Sequence, residues 1–270
     1  MSGLTRRLMS ERRRARISGV QCCFTLLFLA FAAWSGEVLA ETYAIMSLIG
    51  DHATVIGQAK QTGSRLEQNP RSVIQLPDSG LDDFAARVAY ATIAKVRPDA
   101  SVSAFRAKDP ALYALRDSWL DADVTKVQEL LSLVAVQVPP SPDSHLLLIT
   151  PYRDDLQLRT DSDYRGSGKV GGLGFYVDVS TRFQSSDTGE TANGFLGVFA
   201  NFQLVLVNSQ SNAIEAHERV VVGSTYAAAR AKDRSSWNAL SPAEKIKALE
   251  SLLKREIERV LPTMLSSKKP

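Results

Sequence analysis

A glycine-rich segment, residues 161–174 with the sequence DSDYRGSGKVGGLG, holds the residue types and spacing that could do chemistry. Gly166, Gly168 and Gly171 form the pattern G-x-G-x-x-G, which binds a dinucleotide when a strand precedes it and a helix follows it. Here an alternating, strand-like pattern follows instead. The P-loop pattern also fails, because Val170 stands where Ser or Thr is required. The sequence therefore predicts no nucleotide site and no cofactor.

Two interpretations of this glycine-rich segment stay open. It is either a loop that connects two strands or a loop that binds an anion. In the second case, exposed backbone N–H groups at Gly166 and Gly168 would act together with the side chains of Arg165 and Lys169.

Acidic residues in the same segment raise the question of calcium. Asp161 and Asp163 take the first and third positions of a calcium-binding loop, with Gly166 at the sixth. Arg165 occupies the fifth position, and Gly172 the twelfth, where a bidentate Glu is needed. Because aspartates are common in turns, the sequence predicts a turn here and no metal site.

A second candidate position follows the apolar run HLLLITPYR, residues 145–153. Arg153 and Asp154 come at its end, where ligand groups gather in α/β sheets. The alternative is a solvated loop with local ion pairs. The predicted ligand-binding residues are Arg153, Asp154, Arg165, Gly166, Gly168 and Lys169.

Catalytic motifs are scarce. The histidines are His52, His145 and His217, and no two have the spacing of a metal-binding pair. Asp51 and His52 are interpreted as a hydrogen-bonded pair in a turn. The sequence contains no G-x-S-x-G motif, and a Ser-His-Asp triad assembled from distant segments stays open. No catalytic residue is predicted.

The amino-terminal residues have the composition of an export signal. Six arginines precede an apolar run from Val20 to Trp34, which is shorter than the roughly 20 residues that span a bilayer. Small residues at Val38 and Ala40 suit a signal peptidase. Residues 1–40 are therefore predicted to be a Sec-dependent signal peptide that leads to the periplasm or to secretion. The alternative is an uncleaved anchor, which would be the protein's one contact with the membrane.

Removing this leader changes the charge of the chain. The full chain has 32 basic and 29 acidic residues, and the chain without residues 1–40 has 26 and 27. Such a nearly neutral chain lacks the positive field of a nucleic-acid-binding protein. Cys22 and Cys23 lie in the leader, so disulfides, thiolate chemistry and Cys-ligated metals are not expected after cleavage.

The first half of the remaining chain mixes strands and helices. Residues 43–48 and 53–56 predict two strands around Gly50-Asp51, as a hairpin or as one strand with a tight turn. Further strands and helices are predicted by apolar periodicity, turn residues and charge order. The strands are 73–76 and 102–106, and the helices are 77–99, one from Asp109-Pro110, and 124–134.

The second half predicts a buried strand followed by three alternating strands. The alternating strands, within 173–183, 199–210 and 214–222, predict an antiparallel meander with one wet face. A terminal helix begins with Ser241 as cap, Pro242 at the first position and Glu244 completing a capping box. Its apolar stripe, from Ile246 to Met264, is expected to pack on the meander; binding of a partner is the alternative.

These elements predict an α+β fold, a two-layer α/β sandwich. It would contain a mixed sheet with a carboxy-terminal antiparallel meander and packed helices. Residues 41–270 are predicted to be a single domain. The proline-rich segment VPPSPDS, residues 138–144, leaves open a division into subdomains 41–138 and 144–270.

Three segments carry a resemblance: HLLLITPYR, GSGKVGGLGFYVD and GFLGVFANFQLVLVN. Over most of the mature chain they resemble uncharacterised exported proteins of Gram-negative bacteria. The segment FQLVLVNSQSNAIEAHERVVVG more loosely resembles envelope domains of the TolB amino-terminal and curli-secretion type, although the chain lacks their lipobox Cys. The resemblance implies contacts within envelope assemblies and transfers no catalytic residue.

The sequence thus predicts a non-enzymatic periplasmic envelope protein that binds a protein partner or a small ligand. The alternative is a periplasmic hydrolase that acts on phosphate or ester groups. Convergence of His52, Asp51 or Asp154 with Lys169 in one pocket would favour the hydrolase. An exposed apolar stripe on the terminal helix would favour a partner.

Overall fold

The computed structural model of the protein describes residues 40–58, 69–76, 80–108, 110–117, 134, 143–159, 164–165, 168–184 and 189–266. All of these except Ala40 belong to one compact unit, Glu41–Pro270. The predicted signal peptide lies outside the described residues apart from Ala40, and so does the predicted helix over 124–134 apart from Val134.

Eleven strands, three α-helices and two short 3-10 helices, Ala228–Arg230 and Trp237–Ala239, are described. The strands are β1 Thr42–Ser47, β2 His52–Gly57, β3 Arg71–Gln75, β4 Ser101–Arg106, β5 Ser144–Pro151, β6 Arg153–Asp155, β7 Leu158–Arg159, β8 Tyr164–Arg165, β9 Lys169–Gln184, β10 Thr191–Asn208 and β11 Ile214–Ala227. The helices are α1 Gly80–Val96, α2 Pro110–Asp117 and α3 Pro242–Ser266. Nine of these strands form one mixed sheet, and β7 pairs with β8 separately. Among the described residues, no helix is both long enough and apolar enough to cross a membrane.

The longest strand, β10, organises this sheet. Strand β11 pairs antiparallel with residues 195–207 of β10. Strand β9 pairs with β10 over residues 191–201, and β5 pairs with it over 202–208, both antiparallel. Because a strand has two edges and β11 occupies one of them, β5 and β9 lie end to end along the other. The predicted antiparallel meander is confirmed as β9, β10 and β11.

The row of strands on the other side of β5 and β9 is also divided between two strands that lie end to end. Strand β1 pairs in parallel with β5, and β2 pairs in parallel with β9. Outside them, β4 pairs with β1 and β3 pairs with β2. The predicted hairpin between the first two strands is wrong, because each finds its partners among strands distant in sequence. The chain instead continues through residues 48–51 from one pairing to the next.

Helices α1 and α3 cover one face of the sheet. The main core contains Ala85 and Ala89 of α1, Leu253 and Ile257 of α3, and Leu204 of β10. Alternate residues of β10 face the other way into two smaller clusters: Val205 packs with Leu112 of α2, and Phe199 packs with Leu158 of β7. The mixed α/β composition is therefore confirmed, while the two-layer arrangement stays a prediction.

The expectation that one face of the meander is exposed to solvent is wrong for β10. It is buried on both faces from Phe195 to Val207. The physical reason is that α1 and α3 cover one face, while α2 and the segment that contains Leu156 and Leu158 cover parts of the other. The alternation of residue types along the sequence does not reveal that the second face of β10 is also covered.

The terminal helix α3 begins as its capping box predicts. The backbone N–H of Ser241 donates to the Glu244 carboxylate at 2.7 Å, and the N–H of Glu244 donates to Ser241 Oγ at 3.4 Å. The apolar stripe of the helix, including Leu249, Leu253 and Met264, is buried in the main core. The prediction that this stripe packs within the fold is confirmed.

Candidate functional site

A cavity lies at the strand interruption, the place where β5 gives way to β9 in one row of the sheet and β1 gives way to β2 in the neighbouring row. Its volume is about 110 Å³. The lining comes from the ends of β1 and β5, from β2 and β3, from β6 and from the start of β9. The described residues that line it are Ile49, His52, Thr54, Ile56, Arg71, Pro151, Arg153, Val170, Gly171, Gly172 and Leu173.

Asp82 of α1 fixes one wall of this cavity. Its Oδ1 accepts hydrogen bonds from the backbone N–H groups of Ile49 at 2.7 Å and Gly50 at 3.0 Å, and from Ser47 Oγ at 2.7 Å. Its Oδ2 accepts from the Tyr113 hydroxyl at 3.0 Å. The residue is 4% exposed, and burial raises the pKa of its carboxyl although these hydrogen bonds oppose the shift. Asp82 therefore holds the connection between β1 and β2 in place.

His52 contributes a titratable ring to the same cavity. Its Nδ1 lies 2.9 Å from Asp51 Oδ1, and both side chains are about one-third exposed. The predicted hydrogen-bonded pair at this turn is confirmed. Because Asp51 contacts Nδ1, the imidazole is held in orientation at the start of β2.

Two arginines reach the cavity from different strands. Arg71 begins β3, and its Nη2 donates to the backbone carbonyl of Lys169 at 2.8 Å. Arg153 begins β6, directly opposite Gly171 of β9. No Asp or Glu is among the described residues that line the cavity.

The carboxylate that follows Arg153 in the chain is engaged in its own strand. Asp154 follows Arg153 in β6, and its Oδ1 accepts the backbone N–H of Asp155 at 2.8 Å. This local bond ties Asp154 to the ladder between β6 and β9, where it stands opposite Val170.

The predicted ligand-binding residues are partly brought together. Arg153, Asp154, Gly168 and Lys169 lie in or beside the ladder between β6 and β9. Arg153 lines the cavity, whereas Asp154 and Lys169 are not among its lining residues. The convergence of Lys169 with Asp154 that would have favoured a hydrolase is therefore not seen in the described lining.

The remaining predicted residues lie further along the loop. Gly168 has a φ of +85°, a conformation that glycine adopts readily. Arg165 belongs to β8, opposite Leu158 of β7, and Gly166 lies outside the described residues. The strand predicted after the glycines is present as β9.

Sequence reasoning missed Arg71 as a site residue. It lies in a polar stretch with no motif, and only the pairing of β3 with β2 brings it to the cavity. The sequence identifies His52 only as one member of a hydrogen-bonded pair in a turn. The sequence signal for either residue was weak, because their partners are far away along the chain.

A second, shallower depression of about 410 Å³ lies beside the start of α3. Lys245 is 6% exposed there; its Nζ donates to the Leu240 carbonyl at 2.6 Å and lies 4.2 Å from the Trp237 ring centroid. Burial lowers the pKa of Lys245. Because the ammonium is engaged by the carbonyl and the ring, it serves the packing of the helix start.

The part of the chain that the structure describes shows no group of three or more His, Cys, Asp or Glu side chains that could hold a metal ion. The described lining of the cavity includes the side chains of Arg71 and Arg153, whose guanidinium groups are hydrogen-bond donors.

Comparison with known proteins gives limited likeness. No family model matches the chain, and no curated protein is significantly similar to it. One similar solved structure is a neuraminyllactose-binding hemagglutinin homologue from Helicobacter pylori, with 8% identity, a TM-score of 0.33, and 86% of this chain and 87% of that chain covered. Another is a Xanthomonas campestris protein of family-model DUF330, with 11% identity, a TM-score of 0.35, and 87% and 89% covered. At these TM-scores the likeness identifies neither family nor activity.

Proposed function

We propose that the chain is an exported, non-enzymatic protein of the bacterial envelope that binds a small ligand. Export rests on the basic and apolar leader, and the envelope rests on the resemblance described above. The observation that supports ligand binding is the cavity at the strand interruption. Ligand sites commonly occur where the connectivity of a sheet changes, because loops and strand ends meet there.

The character of the lining supports binding. Ile49, Ile56 and Leu173 supply apolar walls, while His52 and Arg153 supply polar groups that can orient a ligand. This combination of apolar surface and a few polar groups is typical of ligand pockets.

Hydrolysis of phosphate or ester groups is the second candidate, and the contact between His52 and Asp51 favours it. Such a pair can hold an imidazole as a general base. Against it, the hydroxyl of Thr54 is the one oxygen nucleophile among the described side chains of the lining. A structural role for the pair at the start of β2 accounts for the same 2.9 Å distance.

The alternative within this proposal is that the chain binds a protein partner. The buried stripe of α3 leaves no exposed apolar surface of that kind for a partner. Strand β3 presents one instead: Val73 is 57% exposed and Ile74 is 39% exposed, on a strand that pairs with β2 in the described part of the sheet. Exposed sheet edges can accept a strand from another chain.

The proposal is tested by screening the protein produced from the full chain against a small-molecule library, with ligand-observed NMR. Binding without turnover, and loss of binding when Thr54→Trp fills the cavity, support it. The matched control is Val73→Trp, which adds the same ring at the exposed edge. Turnover of phosphate or ester substrates that is lost in His52→Gln would replace binding with the hydrolase. Absence of any ligand in the cavity would overturn the proposal.

A further inference from the structure

We infer that the cavity at the strand interruption binds the ionised oxyanion group, a carboxylate, sulfate or phosphate, of a small molecule. This inference rests on the proposed function, since it names the chemical class of the ligand at the same site. It is carried by the placement of Arg71 and Arg153 around one small space.

The first argument is charge. Arginine stays protonated throughout the physiological pH range, so both guanidinium groups bring a permanent positive charge to the lining. Both side chains line the cavity. An anion in the cavity would therefore be attracted to both arginines.

The second argument is dielectric. Ile49, Ile56, Val170 and Leu173 contribute apolar walls beside the arginines. Charge-assisted hydrogen bonds are stronger next to such walls than in water, because less solvent screens them. This applies to Arg153, which is partly buried, more than to Arg71, which is exposed, and beside Arg153 an ionised group is favoured over a neutral one.

The third argument is size. A volume of about 110 Å³ is smaller than the roughly 300–1,000 Å³ of pockets that enclose a drug-sized ligand. It suits one small group, with the remainder of the ligand outside. A planar guanidinium matches the geometry of a carboxylate or phosphate, which can accept two parallel N–H bonds.

The fourth argument is preorganisation. The hydrogen bond from Arg71 to the Lys169 carbonyl, 2.8 Å long, ties the guanidinium to the first residue of β9. A guanidinium carries five N–H donors, so this bond leaves others to face a ligand. A side chain that is already held in place loses less conformational entropy when it binds.

The test is a titration of the isotope-labelled protein, produced from the full chain, with inorganic phosphate and with acetate. Sodium chloride at matched ionic strength serves as the background. We expect amide shifts concentrated at residues 49–54 and 169–173. Arg153→Gln and Arg71→Gln should each weaken binding by about tenfold or more, as the loss of a charge-assisted hydrogen bond implies.

Lys247→Gln is the control, because it removes one positive charge from an exposed side chain of α3 that is outside the lining. It should change affinity by less than about threefold, as expected for a charge in solvent. Arg153→Lys keeps the charge and guards against misfolding of the glutamine variant; it should bind more weakly than the wild type but more tightly than Arg153→Gln.

Three outcomes would overturn the inference: no binding of either oxyanion at tens of millimolar, shifts located elsewhere, or equal weakening by Lys247→Gln and Arg153→Gln. If the library screen yields a neutral ligand whose binding in the cavity is unaffected by either arginine variant, the oxyanion inference fails and the proposed function stands. If nothing binds in the cavity, both fail.

Discussion

The backbone N–H of Gly50 donates to the Asp82 carboxylate at 3.0 Å, and a Cβ placed on Gly50 would overlap the backbone nitrogen of Asp82. This close approach joins the start of α1 to the connection between β1 and β2. The same carboxylate accepts the N–H of Ile49, which lines the cavity. The shape of the candidate site therefore depends on a residue that does not line it.

The Asp82 carboxylate is expected to be a major source of stability. Asp82→Ala leaves the buried N–H groups of Ile49 and Gly50 without their acceptor and should lower the free energy of unfolding by on the order of 3 kcal/mol. Asp82→Asn keeps an acceptor for them and a donor for the Tyr113 oxygen, and should cost about 1 kcal/mol or less at pH 7. Urea denaturation measures both. Equal losses in the two variants would show that hydrogen bonding is not the cause.

The pH dependence of stability should carry the signature of Asp82. Burial raises the pKa of this carboxyl in the folded state, so the folded protein holds the proton more tightly than the unfolded chain. Its contribution to stability is therefore complete below the unfolded pKa of about 3.9 and is lost as the pH rises through the folded pKa.

The measurement that isolates this contribution compares wild type with Asp82→Asn. The free energy of unfolding of the variant, minus that of wild type, should increase from pH 4 upwards and then level off. Each unit by which the folded pKa exceeds the unfolded one adds about 1.4 kcal/mol to this difference. A difference that decreases over this range would mean that hydrogen bonds outweigh burial and lower the pKa.

Gly50→Ala should destabilise the protein, because the added methyl group overlaps the backbone at Leu81 and Asp82. Overpacking of this kind typically costs about 1–3 kcal/mol. Gly80→Ala is the matched control, since a Cβ there meets no atom within 4 Å and Gly80 opens α1. Its thermal midpoint should equal or exceed that of wild type. Similar losses in both variants would point to a general effect of replacing glycine near α1.

Cleavage of the leader is tested by mass spectrometry of the protein recovered from bacteria that express the full chain. We expect a mature amino terminus at Glu41 and recovery with the periplasmic or secreted fraction. Ala40→Arg places a large charged side chain at the cleavage site and should leave the precursor uncut; Glu41→Gln, one residue beyond, should still be processed. An intact Met1 in the soluble cytosolic fraction would refute the prediction and reopen nucleotide chemistry for the glycine-rich segment.

Local patterns in the sequence determined several elements correctly. The capping box at Ser241 and Glu244 predicted the start of α3, because its hydrogen bonds form between residues three apart. Acidic residues at Asp82 and Asp83 and a basic residue at Lys95 indicated a helix within 77–99, and the described helix runs from Gly80 to Val96. The alternation in β9, β10 and β11 predicted the meander, because period-two patterns report local pleating.

Only the tertiary structure decided the pairings and the site. Strands β1 and β2 look like a hairpin in sequence, yet the register with β5 and β9 separates them. A bulge opposite Leu206 and Val207 also turns Ile214 towards a different core from that of Ala216, which regular alternation does not predict.

Arg71 and Arg153 meet at one cavity although 81 positions separate them in the chain. The physical reason is that capping, helix charge and alternation depend on neighbours a few residues away, whereas strand partners and cavities depend on which distant surfaces bury one another. A single sequence records the first kind of interaction directly. The second is decided when the whole chain packs.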